Sequence, residues 1–195
     1  MPRQISVDPP NPTWKHGFAE EAEKITRTLG DLVISLHHIG STAIPGIFAK
    51  PILDLLLEVE DIFTLDESQS AMEELRYEAL GEFGLPGRRY FRKYNDLGVR
   101  SHHVHAYQSG SPEIERHLAF RDYMIAHPAE AQNYSDLKQR LARAHPYDAE
   151  AYMDGKDPYI KAQEARALEW WSSQVDLQPS QNSATLLSNL DEISD

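Results

Sequence analysis

The sequence predicts an α+β protein, a mixed β-sheet with flanking helices followed by a helical C-terminal cap. Segregation is the first sign. Strand-like segments end near residue 107, and beyond Gly110 the pattern is helical to about Trp171. The second sign is one block of sequence. The apolar run Leu32–Leu36 feeds a Gly40-Ser41-Thr42 turn, Pro45 and Gly46 mark a short linker, and a second apolar run, Ile52–Val59, carries one carboxylate, Asp54.

The elements follow in order. Trp14, Phe18, Ala22, Ile25 and Leu29 recur every three or four residues, which predicts an amphipathic helix over 13–29 with Thr13 as its N-cap. Strands are expected at 32–38 and 51–59, and Asp66 is placed to cap a helix over 67–76. Gly81, Gly84, Gly87 and the Asn95-Asp96 turn divide the next stretch into short strands at Tyr77–Ala79, Arg89–Tyr94 and Val99–Tyr107. Pro112 and Pro128 stand where first helical turns begin, since a missing N–H costs nothing there.

Composition sets the outer limits. The 195 residues suit one domain over 1–173, with a sheet part at about 12–110 and a helical part at about 111–173. Residues 174–195 hold four acids, no Lys or Arg and no aromatic residue, and are expected to form a flexible acidic tail. A net charge of −12 argues against general nucleic-acid binding, which needs a basic stripe. No apolar stretch approaches the ~20 residues that span a bilayer. The absence of cysteine and of an apolar leader points to a cytoplasmic protein without thiolate metal sites.

The candidate chemistry sits on the strands. A small-residue turn after a buried strand exposes N–H groups that can cradle phosphate oxygens. A carboxylate on the neighbouring strand can then hold a divalent cation against them. Alternation puts Asp54, Leu56 and Glu58 on one face. A lone Asp in so apolar a run is costly without a partner, so Asp54 reads as a site carboxylate or as a buried acid bonded to the turn. His103 and His105 share one strand face, with His102 on the other. Such a pair can bind a transition metal, or bond to carbonyls or phosphates. His38 is a candidate donor to phosphate, with His37 on the opposite face, and Lys50 falls at the site mouth. His117 and His127 read as packing residues. Arg88, Tyr90 and Arg92 share one face of their strand and Arg89, Phe91 and Lys93 the other, mostly as solvated charges. Neither a Walker-type Gly-x-x-x-x-Gly-Lys-Ser/Thr sequence nor a Gly-x-Ser-x-Gly elbow is present, which disfavours a P-loop kinase and an α/β-hydrolase.

The block from His38 to Asp54 resembles the hallmark of the GrpB family, which belongs to the nucleotidyltransferase superfamily. The resemblance continues in Ser101-His102-His103-Val104-His105, in His117–Tyr123 with His127-Pro128, and in Tyr134, Lys138 and Lys156, covering about residues 12–170. It implies a nucleotidyltransferase-like fold in which Gly40, Ser41 and Thr42 hold phosphates and Asp54 stands on the metal-bearing strand. That strand usually presents two carboxylates two residues apart, but here the second position is Leu56. Glu58 lies roughly 13 Å along the strand, too far to share an ion. The resemblance places His103 or His105 where a later strand supplies the third acidic ligand, giving an Asp54, His103 and His105 triad for Mg, Mn or Zn.

These observations predict transfer of a nucleotidyl or phosphoryl group from a nucleoside triphosphate to a small acceptor. The alternative is a non-catalytic nucleotide- or phosphometabolite-binding module.

Overall fold

The computed structural model of the chain describes residues 4–176. Helix α1 (Thr13–Leu29) forms as its apolar spacing predicts, but Thr13 does not cap it. Asn11 does: its Oδ1 accepts the Thr13 N–H at 2.9 Å. Strands β1 (Val33–Ile39) and β2 (Leu53–Val59) flank the glycine turn. The helix expected over 67–76 is two short ones, α2 (Ile62–Glu67) and α3 (Gln69–Glu74). Asp61, not Asp66, is the cap, accepting from the Phe63 and Thr64 N–H groups. Asp66 is instead held by Arg89. Strands β3 (Tyr77–Ala79), β4 (Arg89–Tyr94) and β5 (Arg100–Gln108) complete the sheet. The cap comprises α4 (Pro112–Ala126), α5 (Pro128–Ala144) and α6 (Ala149–Asp176), with Pro112 and Pro128 in first turns as expected. Helix α6 runs three residues past the expected start of the acidic tail. The rest of that segment, 177–195, lies outside the described residues.

The five strands lie in the order β1-β2-β5-β4-β3. β2 and β5 are parallel and the other pairs antiparallel, so the sheet is mixed. The two faces differ in what covers them. On one, Leu53, Leu55, Leu57, Val104 and Ala106 pack against Ile25 and Phe18 of α1 and against Leu65 and Met72 of α2 and α3. On the other, Ile39, Leu56 and Tyr107 pack under Ile114 of α4. The cap is fastened by the linker after β1. Ile44 and Ile47 pack with Met124, Ala131 and Tyr134, and the Phe48 N–H donates to Ser135 Oγ at 2.9 Å. No helix among the described residues is long and apolar enough to cross a membrane.

A charged pair is built into the α1 face. Glu21, 3% exposed, accepts from Lys93 of β4 at 2.6 Å and from the more open Lys24 at 3.2 Å. Burial alone would push the Glu21 carboxyl up, but the two lysines and His102 outweigh it and hold it below the usual range. Its contribution to stability is therefore present above the unfolded carboxylate pKa and is lost as pH falls through the folded one. Lys93→Met should destabilise the fold by about 3 kcal/mol in urea unfolding, near the low end for breaking a buried pair because Lys24 remains. Glu21→Leu combined with Lys93→Met should recover most of that loss, as measured by a double-mutant cycle.

Candidate functional site

Register builds the site. Parallel pairing of β2 with β5 sets Asp54 beside His103 and Leu56 beside His105, while β4 brings Tyr90 beside His105. All point to the face that α4 partly covers. Asp54 Oδ1 accepts a hydrogen bond from His103 Nδ1 at 3.0 Å, and His105 Nε2 stands 3.9 Å from the same oxygen. One donor atom from each of the three lies within 4.8 Å of the others. Asp54 keeps 27% of its side chain exposed, against 15% and 16% for the imidazoles. Burial pushes the Asp54 carboxyl up, but the hydrogen bonding and charge of the two histidines outweigh it and hold it well below the usual carboxylate range.

The outer ring nitrogens, His103 Nε2 and His105 Nδ1, are buried without a partner among the described residues. An unmet buried polar group costs about 1–3 kcal/mol. Each imidazole is thus turned so that one nitrogen serves the acid while the other goes unsatisfied. Tyr90 packs against both rings, with centroids 5.4 and 5.3 Å away. His117, assigned from sequence to packing, does pack, and against His105, at 5.4 Å. Burial and the neighbouring Arg116 push its pKa down to about 3, so it is neutral.

Gly40 fixes the other side of the acid. Its φ is +68°, and a Cβ there would collide with Asp54 Oδ2. The glycine is required because the carboxylate lies directly on the turn. Ser41 follows, close to Tyr134, whose pKa is pushed up to about 12 by burial, with Ser41 acting in the opposite sense.

Two expected site residues face elsewhere. β1 pairs His38 with Leu55 and His37 with Leu56. His37 is therefore on the Asp54 face and His38 on the α1 face, the reverse of the expectation. His38 stacks on Phe18 at 4.8 Å, and its Nε2 bonds Thr42 Oγ1 at 2.9 Å. Thr42 is 8% exposed and also donates to the Ile52 carbonyl at 3.3 Å, so it ties the turn to the start of β2. Both residues border a cavity of about 800 Å³ that is also lined by Trp14, Phe18 and Arg121.

The basic residues sort into two groups. Those on β4 and just before it are engaged at the sheet: Arg89 with Asp66, Arg92 with Glu78, Lys93 with Glu21, and Arg88 with the Glu82 and Phe83 carbonyls. Arg121 pairs with Asp122 and donates to the His38 carbonyl at 3.2 Å, bracing α4 on β1. Lys50, Lys138 and Lys156 form the second group. Lys50 Nζ lies 4.1 Å and Lys156 Nζ 5.5 Å from the Tyr152 ring, and Lys138 Nζ lies 4.3 Å from that of Tyr134. Burial, with repulsion from Lys156, lowers Lys50 to about 8 and Lys138 to about 7, against an opposing pull from Asp54. Burial also lowers Lys156. Lys50, expected at the site mouth, lies over Tyr152 and within electrostatic reach of Asp54. The convergence of the other two on it was not readable from spacing.

Fold and site together define an α+β protein with an acid–histidine centre between a glycine turn and a helical cap. The chain belongs to the GrpB family: that family's sequence model, described as GrpB protein, matches residues 4–166. It is 44% identical over 168 residues to the UPF0157 protein YqkA of Bacillus subtilis, a match covering 86% of this chain and 48% of that protein. The chain therefore spans about half the length of that relative. It resembles the crystal structure of the conserved protein GrpB from Enterococcus faecalis with a TM-score of 0.81 and 45% identity, over 85% of this chain and 99% of that one. A longer protein of Mycolicibacterium paratuberculosis named Dephospho-CoA kinase is 26% identical over 192 residues, or 87% of this chain and 47% of that protein.

Leu56, at the position where a second carboxylate would stand, has no exposed surface and lies among Ile39, Tyr107 and Ile114. Leu56→Asp should therefore unfold the protein more easily rather than create a second ligand. The expected loss is on the order of 4 kcal/mol by chemical denaturation, that of an unpaired charge in an apolar cluster. A stable Leu56→Asp protein with added metal affinity would contradict this account.

Proposed function

We propose that the chain transfers a nucleotidyl or phosphoryl group from a nucleoside triphosphate to a small acceptor, at the site formed by Asp54, His103, His105 and the Gly40-Ser41 turn. The observation that carries the reading is the convergence of three donor atoms, one each from Asp54, His103 and His105, all within 4.8 Å of one another. The donor set suits a divalent cation. Two imidazoles and a carboxylate accept Zn or Mn readily, and Mg through the carboxylate. Held there, the ion would polarise a phosphoryl oxygen and balance its charge.

The remaining work falls to the chain itself. Asp54 is held ionised by its two histidines. Without an ion, His103 fixes the carboxylate rotamer through its 3.0 Å hydrogen bond; an ion bound at that nitrogen would take the place of its proton. Gly40 lets the phosphate turn lie against the acid, Ser41 offers a hydroxyl to a phosphate oxygen, and Lys50 offers a cation at the mouth. With Leu56 buried, this strand supplies one cation site and not two.

That same leucine favours a second reading, a nucleotide- or phosphometabolite-binding module without turnover. The similarity to a protein named Dephospho-CoA kinase supports including dephospho-CoA among the candidate acceptors and ligands.

The test is incubation with labelled triphosphates, divalent metals and an acceptor panel that includes dephospho-CoA. Turnover is expected with wild type and should fall at least 100-fold, about 2.7 kcal/mol in transition-state free energy, in Asp54→Asn. Saturable binding without turnover would support the module. Elemental analysis of untagged protein should show metal in wild type and its loss in the His103→Ala/His105→Ala double variant. Equal metal content in both would remove the ion from the mechanism.

A further inference from the structure

We propose that Lys50, Lys138 and Lys156 form a binding site for a chain of at least two phosphoryl groups, adjoining Asp54 and independent of any metal. The proposal takes only its location from the nucleotidyl-transfer reading, because a binding module would need the same site.

The three ammonium groups come from three separate elements. Lys50 immediately precedes β2, Lys138 lies on α5 and Lys156 on α6. Lys50 and Lys156 share the Tyr152 ring, Lys138 lies over that of Tyr134, and Lys156 is close enough to repel each of the other two. Lys138 is 2% exposed, and its Nζ has no hydrogen-bond partner among the described residues. The lysines that do pair with carboxylates there are Lys24, Lys93 and Lys161. A desolvated, unpartnered ammonium is costly, and like charges beside it add to the cost.

Charge decides the class of ligand. Asp54 is the acid acting on all three lysines, so one negative charge faces three potential positive ones. A single carboxylate or other monoanion leaves the set unbalanced. A di- or triphosphate brings several negative oxygens at successive positions, which suits ammonium groups arriving from three directions as separate point charges. The aromatic faces beneath the lysines hold them in place while the anion is absent, since cation–π attraction needs no counter-ion.

The probe is sodium tripolyphosphate in EDTA, compared with pyrophosphate and inorganic phosphate by calorimetry on the full chain. Wild type should bind tripolyphosphate more tightly than phosphate. Lys138→Met and Lys156→Met should each weaken tripolyphosphate at least 10-fold. Met keeps the apolar stem, and a melting curve on each variant checks the fold; Lys156 is less buried than Lys138 and serves if the Lys138 variant misfolds. Lys161→Met, which removes an exposed lysine paired with Asp157 on α6, should bind as wild type does. Absence of saturable tripolyphosphate binding by folded wild type overturns the site, as does wild-type affinity in a folded Lys138→Met or Lys156→Met. If the lysine pattern holds and no acceptor supports turnover, the transfer reading fails and the polyphosphate site stands. If turnover is found without tripolyphosphate binding, the polyphosphate site fails alone.

Discussion

A carboxylate at the start of β2 faces a histidine on the parallel strand beside it, and the layout of the site depends on that pairing. Asp54 sits in an otherwise apolar strand, where an unpaired charge would be costly. Its hydrogen bond to His103 offsets the cost and orients the carboxylate. Gly40 then has to be glycine, because no Cβ fits between the turn and that carboxylate. The turn, the acid and the two histidines therefore form one steric and electrostatic unit rather than three adjoining features.

The sheet keeps this unit on one face and spends the other on stability. Against α1, the leucines of β2 make the main core, and the polar groups admitted there, Glu21 and Lys93, are matched to each other. On the site face, the apolar patch is confined to Ile39, Leu56, Tyr107 and α4. Leu56 belongs to that patch as much as to the site. A charge there would have to be buried under α4, which is the physical reason a second carboxylate is incompatible with this packing.

The helical cap contributes charge as well as cover. The linker residues Ile44 and Ile47 fix α5 against the end of β1, and this brings Lys138 toward Asp54. Lys156 of α6 joins them over Tyr152. A chain with a formal charge of −12 thus holds a local basic centre.

The sequence by itself determined what depends on local geometry. Strand alternation set His103 and His105 on one face and His102 on the other, the Gly-Ser-Thr block marked the turn, and proline placed the starts of α4 and α5. Those properties follow from the two-residue strand period and from fixed φ angles, so neighbours along the chain are enough to read them. Tertiary structure alone decided which of His37 and His38 lies on the same sheet face as Asp54. Two adjacent histidines present the same local pattern, and only the pairing of β1 with β2, with its irregularity between Val33 and Ser35, chooses between them. It also decided that Leu56 is sealed under α4, that Asp61 rather than Asp66 caps α2, and that lysines at 50, 138 and 156 meet. Each depends on strand register or helix docking between distant segments, which no spacing within a single element records.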